Sequence, residues 1–190
     1  MQTMTRRRPR KDRLPIRPGP GVRWRRIVSP VGPLTLVVDD RGLVAIDMLD
    51  EEWSSKAQAD GDISGALAAL ADCDTDDDVL SETANQLAAY FGGTLRTFDL
   101  PLHLEGTPFQ LAVWRAVARI PYGETVSYAD IARELGRPTA ARTVGRTVGL
   151  NLLPIVVPCH RVVGSNGQLT GYASGLPVKA RLLALERGAF

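Results

Sequence analysis

This chain of 190 residues has only two cysteines and two histidines. Two cysteines are too few for the disulfide framework of a small secreted domain. Cys73 lies in an acidic stretch, so we interpret both it and Cys159 as unpaired thiols of a reducing compartment. The sequence contains no CxxC or HxxxH spacing. We therefore predict no bound metal and no cofactor.

Long apolar runs are also lacking. No segment approaches the length that spans a membrane, and the N-terminal residues lack the apolar core of a signal peptide. These two absences argue against a membrane partner and predict a cytoplasmic protein.

Charge is distributed very unevenly, although the formal net charge is only +2. Residues 1–26 carry ten basic side chains and one acidic one, residues 27–106 carry three and sixteen, and residues 107–190 carry ten and four. Basic segments at both ends favour a polyanion such as nucleic acid as a partner. The same charge blocks also fit an ordinary solvated surface, so charge alone leaves the partner open.

Composition divides the chain into three parts. Residues 1–22 are rich in arginine and proline without apolar periodicity, which predicts a disordered basic arm. Residues 23–104 form an acidic N-terminal domain, and residues 105–190 form a basic C-terminal domain. We expect a boundary near Glu105 and Gly106.

The N-terminal domain has the pattern of a small α/β unit. Short Asp and Gly turns separate apolar runs, which predicts strands at residues 24–28, 34–38 and 43–46. A helix is predicted from Ser81 to Phe91, ended by Gly92 and Gly93, with one face formed by Ala84, Leu87, Ala88 and Phe91. We predict loop and short helix over residues 50–79 and a strand over residues 97–102.

The C-terminal domain is predicted to be mostly helical. Caps and apolar spacing predict helices at residues 108–120, 128–135, 139–150 and 177–186. The second and third, joined by a glycine-containing turn, fit a helix-turn-helix. The third is rich in small residues and carries Arg142 and Arg146. Small residues can also indicate close helix packing, but the arginines favour DNA contact.

A thiol and an imidazole are adjacent in the sequence Pro158-Cys159-His160-Arg161, which follows the apolar run Ile155–Val157. We predict that the run is a buried strand. A histidine can supply the base that converts a thiol to a nucleophilic thiolate. Neighbouring strand residues point to opposite faces, so the dipeptide alone favours a buried cysteine beside a structural histidine.

Ordered motifs over residues 107–190 overturn that interpretation, because together they resemble the O6-alkylguanine-DNA alkyltransferases. The motifs are TPFQ at 107–110, IPYGETVSY at 120–128, AAR at 140–142, IVVPCHRVV at 155–163 and LTGY at 169–172, followed by Lys179, Leu182, Leu183 and Glu186. Residues 23–102 resemble the family's first domain more loosely. The resemblance implies an α+β protein with a small ribonuclease-H-like α/β domain and a winged helix-turn-helix-like C-terminal domain.

The resemblance also implies catalytic roles. Cys159 would accept the alkyl group, and His160 would act on it through a water while being oriented by Glu186. Tyr128 would donate a hydrogen bond toward N3 of guanine, stabilising the charge of the leaving base. Asn151 would hold the turn over the site. Its side chain also fits an ordinary helix C-cap, and the two roles are compatible.

Binding roles follow from the same resemblance. Arg142 would fill the space of a nucleotide rotated out of the duplex, beside neighbours on the same helix: Ala140, Ala141, Thr143, Gly145 and Arg146. Thr143 and Arg146 stand where smaller residues are frequent. The extruded base would meet the carbonyls of Cys159 and Val162 and the lid formed by Tyr172, Ala173, Ser174 and Gly175. This lid lacks the usual Gly-Gly pair.

The function implied is irreversible transfer of an alkyl group from O6-alkylguanine, and by extension O4-alkylthymine, in double-stranded DNA to Cys159. We expect a monomer that can cluster on DNA. A lesion-binding sensor is the main alternative, but such relatives replace the reactive cysteine. An alkylation-sensing regulator and a Cys-His hydrolase are further alternatives, and neither accounts for the whole set of motifs.

Overall fold

The computed structural model describes residues 21–48 and 77–188. The predicted basic arm up to residue 20, most of the predicted acidic loop and Cys73 lie outside the described residues. Within the described ranges, no helix has the length and apolar character needed to cross a membrane.

Three antiparallel strands form the sheet of the N-terminal unit: β1 (Arg23–Ser29), β2 (Gly32–Asp39) and β3 (Gly42–Met48), in that order. The predicted strands and turns are confirmed. The second turn closes because the Asp39 carboxylate accepts hydrogen bonds from the backbone N–H groups of Arg41 (2.8 Å) and Gly42 (3.2 Å). Such an Asx turn explains why aspartate and glycine mark this hairpin.

Helix α1 (Asp78–Phe91) covers this sheet. It begins three residues earlier than predicted, because Asp77 rather than Ser81 caps it by accepting the Leu80 N–H at 2.9 Å. Its buried face is also rotated from the prediction: Ala88 is exposed and Tyr90 is buried. The predicted end at Gly92 and Gly93 is confirmed.

The strand predicted over residues 97–102 is wrong. The segment forms a single bridge, between Leu102 and Leu43, in which the Leu43 N–H donates to the Pro101 carbonyl at 2.7 Å. Pro101 has no N–H to donate, so a regular ladder cannot continue through it.

Four helices form most of the C-terminal unit: α2 (Pro108–Ala118), α3 (Tyr128–Glu134), α4 (Ala141–Gly149) and α5 (Leu176–Glu186). Capping boxes start the first two, from Thr107 with Gln110 and from Ser127 with Asp130. Each helix is found where it was predicted, within about two residues at most ends. Helices α3 and α4 pack on each other as a helix-turn-helix.

The buried strand predicted at Ile155–Val157 is also wrong. The run is a turn in which Ile155 has a positive φ of 75°, and Cys159–Arg161 then forms a short 3-10 helix. Strand β5 (Val162–Val163) follows and pairs in parallel with β4 (Val126–Ser127). A short apolar run indicates that a segment is buried, but it does not distinguish a strand from a buried turn.

The α+β fold class is confirmed, and one core joins the two units. Leu36 and Leu87 of the first unit belong to the same buried cluster as Trp114 and Leu182 of the second. Because the core is continuous, side chains of the first unit can reach groups in the second.

Candidate active site

Cys159 starts the 3-10 helix and is only 7% exposed. It borders a small cleft that is partly open to solvent. The cleft is lined by Val148, Gly149, Asn151, Pro154, Cys159, Gly171, Tyr172, Ala173 and Ser174. The end of α4, the turn after it and the predicted lid therefore surround the thiol.

Glu186, at the end of α5, is the centre of a buried polar cluster. Its Oε1 accepts from Nε2 of His160 at 2.7 Å and from the hydroxyl of Tyr90 at 2.7 Å. Arg161 donates through Nε to Oε2 at 2.9 Å and through Nη2 to Oε1 at 2.9 Å. The Gly123 N–H donates to Oε2 at 3.0 Å. The carboxylate is thus held by four residues from three segments of the chain.

These donors keep Glu186 ionised. Burial raises the pKa of its carboxyl, but the hydrogen bonds from His160 and Arg161 outweigh burial and lower the pKa to about 2. A charged acceptor at this position fixes the histidine ring and its proton.

His160 is completely buried and has a lowered pKa, because burial disfavours the imidazolium more than Glu186 favours it. Its hydrogen bond to Glu186 assigns the proton of the neutral ring to Nε2. Nδ1 is then an acceptor, and it has no hydrogen-bond partner among the described residues. A neutral imidazole with an unengaged lone pair is equipped to act as a base.

Asn151 ties down the turn that precedes Cys159. Its amide Nδ2 donates to the Val157 carbonyl at 2.8 Å, and its Oδ1 accepts from the Leu153 N–H at 3.0 Å. These bonds hold the segment that contains the positive φ of Ile155. They support the turn-holding role.

Tyr128 starts α3, and its side chain is directed toward the lid. Its hydroxyl donates to the Thr170 carbonyl at 3.1 Å, and its pKa is raised chiefly by burial. The ammonium of Lys179 lies 6.0 Å from the centre of its ring. Lys179 also donates to the carbonyls of Val162 and Thr170, and burial lowers its pKa to about 8. The hydroxyl is therefore available as a protonated donor beside the cleft.

Helix α4 presents the predicted DNA-facing residues on one side. Arg142, Thr143 and Arg146 are exposed, whereas Val144 and Val148 are buried. The smaller residues Ala140, Ala141 and Gly145 are half-buried beside them. A Cβ at Gly145 would lie 3.6 Å from the Tyr128 ring, so this helix packs directly against the site.

The predicted lid residues Tyr172, Ala173 and Ser174 all line the cleft. The Tyr172 hydroxyl lies 3.9 Å from Sδ of Met48, which belongs to β3 of the first unit. Gly175 ends the lid with a positive φ of 93° and starts α5. The lid thus contacts the first unit through Tyr172. Val162 is buried beside it, and its carbonyl accepts from Lys179.

Sequence reasoning assigned no role to Arg161 or Tyr90, yet both bind Glu186. Arg161 also donates from Nη1 to the Ile120 carbonyl at 2.6 Å. For Arg161 a signal was present, since an arginine in an otherwise apolar run needs a buried partner. For Tyr90 the signal was weaker: a tyrosine near the end of an amphipathic helix, whose hydroxyl needs an acceptor if it is buried.

Within residues 21–48 and 77–188, no group of three or more His, Cys, Asp or Glu side chains is arranged to hold a metal ion.

Two family models match this chain. The family model described as 6-O-methylguanine DNA methyltransferase, ribonuclease-like domain, matches residues 22–104, and the one described as its DNA binding domain matches residues 108–188. A methylated-DNA–protein-cysteine methyltransferase of Methanosarcina barkeri is 46% identical over 160 residues, which are 84% of this chain and 94% of the relative.

Solved structures agree as well. The crystal structure of Mycobacterium tuberculosis O6-methylguanine methyltransferase is 42% identical with a TM-score of 0.72, covering 88% of this chain and 93% of that one. That of Mycobacterium tuberculosis OGT in complex with DNA is 41% identical with a TM-score of 0.72, covering 87% and 93%. The resemblance inferred from the motifs is confirmed. The chain therefore belongs to the 6-O-methylguanine DNA methyltransferase family of DNA-repair enzymes.

Proposed function

We propose that this protein repairs double-stranded DNA by moving an alkyl group, chiefly methyl, from O6 of guanine to Sγ of Cys159. One observation carries the proposal. The thiol borders a cleft beside the arginine-bearing helix, and the next residue, His160, has a free Nδ1 and a Glu186-bound Nε2. A nucleophile, a base and an orienting carboxylate are thereby combined next to a DNA-facing surface.

The chemistry is a single displacement. The thiol proton passes to Nδ1 of His160 through a water, and the thiolate Sγ attacks the alkyl carbon in line. The S–C bond forms as the C–O6 bond breaks, and the bonding electron pair remains with guanine. The Tyr128 hydroxyl would turn from the Thr170 carbonyl toward N3 and stabilise the negative charge on the leaving base.

The lesion must leave the base stack before transfer. Cys159 is almost completely buried, so a base inside a duplex cannot approach Sγ. We propose that the exposed Arg142 occupies the space that the rotated nucleotide leaves. Half-buried Ala140, Ala141 and Gly145 would allow close approach of α4 to the minor groove, while exposed Thr143 and Arg146 would meet the sugar-phosphate backbone.

The carbonyls of Cys159 and Val162 would accept from the exocyclic amine of guanine. The backbone N–H of Ala173 would donate to O6. The lid limits the size of the alkyl group, because it is held at Tyr172 and contains one glycine, Gly175. We expect methyl to be accepted on guanine and on O4 of thymine, and benzyl to react poorly. Fast reaction with free benzylguanine would contradict the last expectation.

Each molecule acts once, because a thioether is stable and no second nucleophile is supplied. An added methyl must also fit at a residue that is only 7% exposed. Overpacking of a filled site is destabilising, so we expect a lower Tm after alkylation. An unchanged Tm after complete alkylation would contradict this. We further propose that the protein works as a cytoplasmic monomer without a cofactor, and that several molecules can cluster on DNA.

The decisive experiment is mass spectrometry after incubation with a duplex containing one O6-methylguanine. We expect one added methyl, on the peptide carrying Cys159, with saturation at one per protein. Cys159→Ser provides the matched control and should bind the duplex without gaining mass. Tight binding by the unaltered protein with no change in mass would establish the lesion-sensor alternative instead.

A further inference from the structure

We propose that Tyr90, which lies on α1 of the first unit, is a positioning residue for alkyl transfer in the second unit. It acts through Glu186 on the proton of His160. This inference rests on the proposed function, because it concerns the rate and pH dependence of that transfer.

The contact joins residues that are 96 positions apart in the chain: the Tyr90 hydroxyl donates to Oε1 of Glu186 at 2.7 Å. Tyr90 is completely buried. Three aromatic rings surround its own, with centroids 5.3 Å away for Phe91, 5.5 Å for Phe98 and 6.0 Å for Tyr122. The ring is therefore fixed, and the hydroxyl is aimed at a single carboxylate oxygen.

That oxygen is the one that orients the histidine. Oε1 accepts from Tyr90 and from Nε2 of His160 at equal distances of 2.7 Å. Burial and the neighbouring carboxylate raise the pKa of Tyr90 far above its ordinary value, so the phenol remains a donor. Because Tyr90 also donates to Oε1, less of the negative charge on that oxygen is available to the imidazole.

Removal of this hydroxyl should therefore strengthen the attraction of Glu186 for the imidazolium. His160 would then hold its second proton to a higher pH, and less of it would be the neutral base that accepts the thiol proton. The substitution leaves the other charged and titratable side chains near this pair in the protein. They are Arg161 and Lys179, the thiol of Cys159, and Tyr122 with Arg96 against its ring.

A purely structural tyrosine would behave differently. Its loss would lower stability without moving the pH dependence of the reaction. Tyr122→Phe is the matched control, since that ring packs against Tyr90 at 6.0 Å but does not donate to Glu186 in the described part of the chain. Both variants remove one hydroxyl from one aromatic cluster.

The test is the single-turnover rate constant of methyl transfer from duplex DNA, measured between about pH 5 and pH 9 for the full chain and both variants. We expect the acidic limb of the profile of rate constant against pH to move to higher pH in Tyr90→Phe, so that transfer is about tenfold slower on that limb and little changed on the plateau above it. Tyr122→Phe should show the same rate constant and the same acidic limb as the unaltered protein. Circular dichroism and Tm establish that each variant is folded.

A second substitution tests the role of Tyr90 even if Tyr90→Phe does not fold. Replacement of Tyr90 by 3-fluorotyrosine retains the ring and the hydroxyl but makes the phenol more acidic and a stronger donor. The acidic limb should then move to lower pH, opposite to Tyr90→Phe. Unshifted limbs in folded Tyr90→Phe and in the fluorinated protein would overturn the role of Tyr90. Absence of transfer by the unaltered protein would instead overturn the proposed function.

Discussion

Two ion pairs of this protein lie in opposite environments. Arg41 of the first unit and Glu105, just after it, meet at 2.9 Å with side chains 66% and 68% exposed. In the second unit, Glu186 and His160 meet at 2.7 Å with both side chains completely buried. Exposed pairs contribute little to stability, whereas buried charge is costly to desolvate.

The difference indicates where the chemistry lies. A buried carboxylate is tolerated because Arg161, His160, Tyr90 and the Gly123 N–H all donate to it. Perturbed pKa values and buried charge concentrate at functional sites. The first unit supplies a sheet and α1, and it contributes one hydroxyl to the site of the second.

The largest effect should come from Glu186→Gln, which breaks the buried cluster. It leaves the guanidinium of Arg161 buried without its carboxylate and His160 without a charged acceptor. We expect transfer to fall by about a hundredfold and the free energy of unfolding to fall by about 3–5 kcal/mol. Single-turnover kinetics and urea unfolding measure the two effects. Glu105→Gln, at the exposed pair, is the control and should change neither.

Glu186→Gln also tests how the free energy of unfolding depends on pH. Glu186 has a folded pKa of about 2 against an ordinary 4.5, so its contribution to stability is present above pH 4.5 and is lost as pH falls toward 2. Urea unfolding over this range should show the unaltered protein losing its advantage over Glu186→Gln. A constant difference between the two proteins would contradict the lowered pKa.

Gly42→Ala should destabilise the first unit without changing any contact of the second. Gly42 has a φ of +136°, and a Cβ there would lie 2.2 Å from the Pro101 carbonyl oxygen. We expect the free energy of unfolding to fall by roughly 2–3 kcal/mol, measured with urea. Gly32→Ala separates strain from collision: its φ is +106°, but no described atom lies within 4 Å of the added carbon. Equal losses in both variants would contradict the collision.

Arg142→Ala should affect function and leave stability unchanged, since Arg142 is exposed on α4. We expect transfer from duplex DNA to slow by about tenfold, because the extruded nucleotide is no longer replaced. Transfer from the free base should be unaltered. Arg146→Ala is the matched control on the same face and should weaken duplex binding in a salt-dependent manner. Equal slowing on duplex and free base would contradict the role of Arg142.

The smallest effect is expected for Arg41→Ala, the exposed arginine of the first unit. Its partner Glu105 is exposed as well, so water replaces the lost contact. Tm and the transfer rate should both be unchanged within error. A clear fall in the transfer rate would show that surface charge of the first unit also serves the reaction.

Local signals predicted most of the fold. Thr107 with Gln110 and Ser127 with Asp130 mark helix starts because a cap acts within four residues of its own chain. The hairpin turn at Asp39 is equally local. The two predicted strands that are wrong failed for different reasons. Residues 97–102 contain Pro101, which cannot donate to a ladder, and this reason is local. Ile155–Val157 is held as a turn by the side chain of Asn151, and this reason is tertiary.

The sequence by itself determined the family and predicted Cys159 as the nucleophile with the residues that surround it, because those features reside in motifs with ordered spacing. Only the tertiary structure decided which side chains converge on Glu186. Tyr90 reaches that carboxylate through a core shared by both units, and Arg161 reaches it from the 3-10 helix. The physical reason is that a hydrogen bond depends on position and direction in space, and spacing along the chain constrains these only within one element.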